Sequence, residues 1–448
     1  LDSNKVICED GSEIREGNIV EMRYNPDGEN DMIWEPLRVR YDKDIPQFFT
    51  IANNVWSTIK DPIYENVIRG LEKDVVSVIE EGISDLYYVG NSDSESKALR
   101  DYHNFIKSNL IRGICNSFKT NIQVMDTSIG RGGDIKKYID PDCHISYLFG
   151  LDIANVNEAC RRYYYERKKP LATFIQADTS LNIKSKDCTM GDKHTDIMLS
   201  IIYGTVKSVK KPYTNFYKKY KSLGKKGFNV ISSQFSFHYY LKSRDTFNGY
   251  LKNINENLNK GGYFIGTFYD GMKLFNLLKT QENIEYINDI GDKIYSIEKK
   301  YDIPLFDYRE ENTDNMFGNE IEVFMDSIGQ PVIEYLVNIE FVVAEMHKIG
   351  LELVSPEVNP KYSTIFKKEC LDEGISGRGS FENILNVIQG LDKKSKDKEQ
   401  IRKYFKRLPE MFKNDHLKLL SGLNNYLVFR KVWVILVIIG RHVDSYEL

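Results

Sequence analysis

The chain has 448 residues, enough for one large domain plus a smaller module, and its 41% hydrophobic and 28% charged content is that of an ordinary globular protein. A net charge of -4 makes no global claim on nucleic acid, so any RNA contact has to come from a local basic patch. The six cysteines (Cys8, Cys115, Cys143, Cys160, Cys188 and Cys370) include no C-x-x-C pair, which argues against a zinc site or a disulfide framework and suits a reducing compartment.

Residues 14–24 and 37–43 alternate apolar and polar side chains around the turn-rich Asn25-Pro26-Asp27-Gly28, the pattern of a hairpin. The chain opens on this sheet-like alternation without a Met, and is read as a piece of a longer polypeptide with no signal peptide. Over residues 50–82, Ile51, Val55, Ile59, Ile63, Val67 and Leu71 recur at helical spacing. A loop and boundary are expected near Asn91-Ser92-Asp93-Ser94. From about residue 100, strands alternate with helices: 122–126, 147–152, 173–177, 228–232, 263–268, 335–339 and 426–432 are the strand candidates. The apolar run 432–439 is shorter than the ~20 residues of a membrane span and reads as a terminal strand, so no membrane is expected as a partner. Lysine-rich stretches lie at 207–226 and 393–407.

The first of these strands ends in Asp126 and runs into Thr-Ser-Ile-Gly130-Arg-Gly132-Gly133-Asp134 before a helical pattern. Glycines at a strand-to-helix turn let backbone approach a ligand and leave N–H groups aimed at it. The second strand ends in Asp152, placed to accept from both hydroxyls of a ribose, and the third in Ala177-Asp178, within reach of an adenine edge. The bland account makes each Asp a helix cap or turn residue, and periodicity alone leaves NAD open as the ligand.

The segment after the fourth strand is more specific. Ser233-Gln234-Phe235-Ser236-Phe237-His238-Tyr239 resembles the QFxLHY motif of mRNA cap guanine-N7 methyltransferases. The segment from Arg100 to Ile111 is similar to that family's R-x-x-N-N-W-x-K-S-x-x-I, and Asp126 to Asp134 to its D-x-G-x-G-K-G-G-D loop. Gly261 to Thr267, Glu334-Tyr335-Leu336-Val337 and Tyr426 to Phe429 resemble further family motifs, in the family's order, so the resemblance covers roughly residues 99–431. Residues 19–21 and 37–43 resemble the closing OB-fold segment of RNA capping guanylyltransferases, without their K-x-D-G nucleophile. The whole resembles the C-terminal part of the multifunctional capping enzymes of large DNA viruses, of the African swine fever virus kind.

The resemblance implies an α/β, class I S-adenosylmethionine-dependent methyltransferase fold, Rossmann-like with a seven-stranded, mostly parallel sheet. It implies an OB-fold remnant over 1–48, a helical connector over 49–98 and the methyltransferase over 99–448. Lys107, Ser128, Gly130, Asp134, Asp152, Asp178 and Gln234 would hold S-adenosylmethionine, with S-adenosylhomocysteine as product. Asn104, His238, Tyr239, Glu334 and Tyr426 would face the cap. Ser128, Arg131 and His103 depart from the family's glycine, lysine and first asparagine. No side chain is expected to act as acid, base or nucleophile, and no metal is expected, because guanine N7 already carries an in-plane lone pair. The implied partners are capped RNA and triphosphatase and guanylyltransferase parts N-terminal in the same polypeptide, in the host cytoplasm (the viral factory) or packaged in the virion. The lysines between 207 and 226, interleaved with Tyr213, Phe216, Tyr217 and Tyr220, read either as an RNA track or as a solvated helix face. A regulatory methyltransferase-fold subunit, or an enzyme acting on a small molecule or protein, are the competing functional readings.

Overall fold

The computed structural model describes residues 5–25, 33–43, 56, 96–118, 121–140, 143–354, 377–390 and 408–432. The chain divides into two compact units, residues 1–86 and 87–448.

In the first unit β1 (Val20–Tyr24) pairs antiparallel with β2 (Trp34–Val39), with a bulge between Glu21 and Met22. Arg23 and Glu35 pair directly across the ribbon, with guanidinium nitrogens 3.0 and 2.8 Å from one carboxylate oxygen. Tyr24, Trp34 and Trp56 cluster with ring centroids 4.9–5.3 Å apart. The expected hairpin is present, its second arm starting three residues earlier than the alternation suggests. Two described strands do not establish an OB-fold barrel. The turn at Pro26, Asp27 and Gly28, the helix over 50–82 apart from Trp56, the loop at 91–94 and the lysines of 393–406 lie outside the described residues, as does the run beyond Val432.

The second unit opens with α1 (Lys97–Cys115), whose Leu99, Tyr102, Ile106, Leu110 and Ile114 fall at helical spacing and are all buried. The central sheet contains β3 (Ile122–Asp126), β4 (Ile145–Asp152), β5 (Leu171–Gln176), β6 (Phe228–Gln234), β7 (Leu258–Tyr269), β12 (Leu351–Leu353) and β14 (Asn424–Lys431), in the spatial order β12-β14-β7-β6-β3-β4-β5. β5, β4, β3, β6 and β7 run parallel, and β14 inserts antiparallel to β7. This is the expected Rossmann-like, mostly parallel class I methyltransferase sheet. A short eighth strand, β13 (Arg378–Ser380), also pairs with β14. The chain lays down β3, β4 and β5 in one direction and then returns to β6 on the other side of β3. A crevice opens beyond the carboxyl ends of strands at such a reversal.

Two expectations about strands need correction. β5 stops at Gln176, so Ala177 and Asp178 lie beyond it. The sixth strand is not 335–339: β11 (Pro331–Tyr335) ends there, in a separate antiparallel sheet with β8 (Asn283–Ile287), β9 (Lys293–Lys299) and β10 (Glu320–Met325). Asn338 then caps α8, a helix over Ile339–Lys348, by accepting the Phe341 N–H at 3.1 Å. The apolar residues at 335–339 satisfy strand and helix periods equally, and the asparagine cap decides for the helix. The sixth strand of the central sheet is β12, three residues long. In the small sheet, register places Lys299, Ile321 and Glu334 in one row across β9, β10 and β11. That row lies on the face carrying the buried Ile297 and Val323.

Among the described residues no helix is long and apolar enough to cross a membrane.

Candidate active site

The crevice is built first from the turn after β3. Asp126 is buried and its carboxylate accepts from the Ser128 N–H at 3.0 Å and the Tyr138 hydroxyl at 2.8 Å. Burial, then the nearby Asp134 charge, pushes its pKa up to about 7. Asp126 therefore shapes the turn and does not face a ligand. Gly130 and Gly132 take positive φ of 50° and 77°. A Cβ on Gly132 would lie 2.6 Å from Ile135 Cδ1 and 3.0 Å from the Ala159 backbone, so only glycine closes this turn without displacement. A Cβ on Gly130 would meet only Asp152 Oδ2, at 3.9 Å, which leaves open space in front of that backbone.

Asp152, the last residue of β4, accepts the Gly130 N–H at 2.7 Å and the Ala154 N–H at 2.9 Å. Its carboxylate thus holds the glycine turn in shape as well as bordering the open space. Asp178 accepts the Ser180 N–H and hydroxyl at 2.9 and 2.7 Å, the local turn expected of a capping Asp. Gln234, the last residue of β6, is buried. Its amide is spent on the Ser232 and Thr267 hydroxyls, both at 3.1 Å. In register, Gln234, Thr267 and Tyr426 form one row across β6, β7 and β14.

Asp134 receives two ammonium groups, Lys107 at 2.8 Å and Lys137 at 2.7 Å. Burial opposes its ionisation, but the two lysines prevail and hold its carboxyl well below the usual range. Two cations on one anion leave an excess positive charge beside the glycine turn, suited to a ligand carboxylate. Lys137 was not singled out from sequence, although its place three residues after Asp134 is a usable signal. Asn104, expected on the cap side, is exposed and accepts from Lys137 Nζ at 3.0 Å.

The segment after β6 links this crevice to the small sheet. Phe235 adopts φ +55°, a left-handed conformation costing a non-glycine residue ~1–2 kcal/mol. Its N–H is held by the Thr267 carbonyl at 2.9 Å and hydroxyl at 3.0 Å. His103 stacks on the Phe235 ring (5.0 Å, 15°), meets the edge of Phe381 and lies 3.2 Å from the Ser421 hydroxyl. Burial, and then the Lys107 charge, lower its pKa to about 3, so it is neutral at pH 7. Ser236 hydrogen-bonds to Ser128. A 3-10 helix, Phe237–Lys242, follows. It is anchored by Phe237 among Phe247, Phe264 and Phe268, a burial worth ~1.5–3 kcal/mol.

That helix delivers His238 to Glu334 of the small sheet, Nε2 to Oε2 3.4 Å. The two residues are 3% and 6% exposed, and neither imidazole nitrogen nor Glu334 Oε2 makes a hydrogen bond. Burial alone lowers the His238 pKa to about 3 and raises that of Glu334 to about 8. Burial thus disfavours charge on both groups, which favours a neutral imidazole beside a neutral carboxylic acid. Tyr239 is half-buried with its ring 4.2 Å from that of His238. Tyr426 is buried, and burial raises its phenol pKa beyond the usual range. Its ring lies on Gly379, where a Cβ would clash with it. A cavity of about 400 Å³ lined by Asp270, Lys273, Gly379 and Asn425 opens beside it.

The lysine-rich stretch lies elsewhere. All eight lysines between 207 and 226 are exposed, while Phe216 and Tyr220 pack on the core around a short helix, α5 (Thr214–Tyr220). Tyr220 reaches Tyr147 near the start of β4, and Gly224 abuts Phe228, the first residue of β6. The stretch is therefore at the amino ends of the parallel strands, ~20 Å along β6 from the crevice at ~3.3 Å per residue. Its aromatic rings are half-buried and covered by lysines, Lys221 over Tyr217 at 4.7 Å and Lys219 over Tyr220 at 5.2 Å.

Residues 72–397 match the mRNA (guanine-N(7))-methyltransferase domain family, and residues 4–68 match the mRNA capping enzyme C-terminal domain. A probable mRNA-capping enzyme of Acanthamoeba polyphaga mimivirus is 28% identical over 475 residues, spanning 94% of this chain and 37% of that protein. The mRNA cap guanine-N(7) methyltransferase of Drosophila melanogaster is 26% identical over 335 residues, spanning 70% of this chain and 65% of its own length. This chain thus spans less than two thirds of either relative. Among solved structures, the CcbJ methyltransferase of Streptomyces caelestis covers 78% of this chain and 96% of its own, at 13% identity and a TM-score of 0.38.

Proposed function

Because the chain belongs to the mRNA (guanine-N(7))-methyltransferase domain family, we propose that residues 99–448 transfer a methyl group from S-adenosylmethionine to N7 of the guanine cap of mRNA. One observation carries this reading. A single short segment ties the glycine turn, through Ser236 on Ser128, to the buried carboxyl, through His238 against Glu334 two residues later. A ligand in the crevice and a purine against Glu334 would therefore meet across residues 234–239.

The crevice fits S-adenosylmethionine: open space before the Gly130 backbone, the Asp152 carboxylate at its border and the excess positive charge of Lys107 and Lys137 on Asp134 suit a zwitterionic nucleoside. When bound, that group supplies a methyl already activated on a sulfonium. Lys107 has donors left beyond its bond to Asp134 for the methionine carboxylate, and Asp152 accepts from the ribose. Glu334 accepts from the guanine N1–H and N2–H₂, and Tyr239 and Tyr426 present rings to the base. Asn104 and Asp178 complete the two ends. N7 needs no base, so the contribution of these residues is alignment and exclusion of water, an effect of up to ~7–11 kcal/mol.

The match of residues 4–68 to a capping-enzyme domain, and the mimivirus relative, support a partner arrangement in which triphosphatase and guanylyltransferase parts lie in the same polypeptide.

The test is incubation with GpppA-capped RNA and radiolabelled S-adenosylmethionine, with GTP as a second acceptor, followed by nuclease digestion. Label recovered as N7-methylguanosine is the expected result. Absence of label, or label at another position, refutes the assignment.

A further inference from the structure

The buried pair of His238 and Glu334 has a property that guanine recognition by a fixed carboxylate would not require. His238 and Glu334 are both more than nine-tenths buried and 3.4 Å apart, and three of their polar atoms make no hydrogen bond. Those atoms are buried and belong to groups able to change protonation state. Unmade hydrogen bonds in such a place are costly, and each calls for an explanation.

On β9, Lys299 lies in the same row as Glu334, beyond Ile321, with its ammonium over the Tyr301 ring at 5.3 Å. On β10 the residue opposite Glu334 is Ile321, and its neighbours Glu320 and Glu322 alternate to the other face of the sheet. On the 3-10 helix Lys242 is exposed and Tyr239 lies beside His238. On β11 Tyr335 follows Glu334, with its hydroxyl directed at Glu320, 3.5 Å away. Arg244, at the start of α6 (Arg244–Asn257), is paired with Asp314. Burial is the sole cause of the shift in either member of the pair.

Resting on the cap-methyltransferase reading, we propose that the His238–Glu334 pair is a proton-linked purine selector: guanine binding ionises Glu334, one proton leaves to solvent, and that ionisation distinguishes guanine from adenine. The O–H bond of the Glu334 carboxyl breaks, its proton goes to the buffer, and the resulting carboxylate accepts the two adjacent N–H donors of guanine. A protonated carboxyl offers one donor and one acceptor. That pattern matches the adenine edge, whose N6–H₂ donates and N1 accepts. The ionised form offers two acceptors and matches guanine alone. The selector is therefore set by protonation, and neutral His238 keeps a second charge out of the site.

The experiment is calorimetric titration of the full chain with GpppG and with ApppA, in buffers of different ionisation enthalpy, from pH 6 to 9. Wild type is expected to release close to one proton per GpppG at pH 6.5–7, falling toward zero at pH 9. Its preference for GpppG over ApppA should rise by up to about tenfold per pH unit below pH 8, the limit for one linked proton. Glu334→Gln, whose amide is permanently one donor and one acceptor, should release no proton and lose most of the preference. S-adenosylhomocysteine titration and a melting curve on that variant identify a folding defect, and the wild-type pH series tests the proposal without it. GpppG binding with methyl transfer but no proton release and a pH-independent preference overturns the selector and leaves the methyltransferase reading intact. Failure to bind or methylate GpppG at all overturns the functional reading itself.

Discussion

Replacing Asp152 by alanine tests the crevice most directly. Its carboxylate accepts two backbone N–H groups, from Gly130 at 2.7 Å and Ala154 at 2.9 Å, and borders the open space before the glycine turn. A hydrogen bond to a charged group contributes ~1.5–3 kcal/mol. The half-buried site lets water replace part of the two internal bonds, so the loss to folding should be ~1–2 kcal/mol, the lower half of that range or less. The loss to ligand binding adds the ribose contacts and the disorder of the turn. A net ~2 kcal/mol corresponds to roughly 30-fold weaker binding of S-adenosylhomocysteine at ~1.4 kcal/mol per factor of ten. Asp152→Asn keeps one acceptor oxygen and should fall between wild type and alanine. Titration calorimetry with S-adenosylhomocysteine, alongside a melting curve, reads both quantities. An alanine variant that binds within twofold of wild type refutes the claim that Asp152 organises the crevice.

Gly132→Ala should combine the ~1–2 kcal/mol strain of a left-handed non-glycine residue with the contact at Ile135 and the Ala159 backbone, lowering denaturant midpoint and S-adenosylhomocysteine affinity together. Replacing Lys218, Lys219 and Lys221 by alanine should leave methyl transfer to GpppA and to capped RNA, and the salt dependence of RNA binding, within about twofold of wild type, since a phosphate-tracking role would change the slope; a flattened salt slope would restore the RNA-track reading. Glu334→Gln should sharply reduce methyl transfer to capped RNA, measured with radiolabel, while cofactor affinity stays near wild type. The same variant changes stability with a definite sign. The native pKa of Glu334, about 8, lies above its ordinary value of 4.5, so the native state retains a proton that the unfolded chain loses. Stability from this group is full below pH 4.5 and is lost as pH rises through 8. Glu334→Gln should accordingly melt above wild type at pH 9 by more than at pH 5, and equal differences at both values would contradict the burial of Glu334.

Much of the crevice was legible in the chain itself because its signals are short-range. A glycine at positive φ, a strand that ends on Asp, and a lysine in the helix before them are constraints between residues a few positions apart, and β3, β4, β6, β7 and β14 lie within a few residues of their expected bounds. The order of the motifs identified the family. Local pattern failed where two periods fit the same residues, at 335–339, and where a strand was only three residues long, at Leu351–Leu353. It read Asp126, Asp152 and Asp178 alike only as acidic residues at strand ends. The fold buries the first as a turn support, sets the second against Gly130, and spends the third on Ser180. Only tertiary structure brings His238 to Glu334, since the two are 96 residues apart and sit on different sheets' elements. Only tertiary structure moves the lysines of 207–226 to the amino ends of the strands. Sequence spacing carries the period of an element and the chemistry at its ends; which elements then lie side by side, and how much water they exclude, is set by packing across the whole core, and it is that exclusion which pushes the Glu334 pKa up.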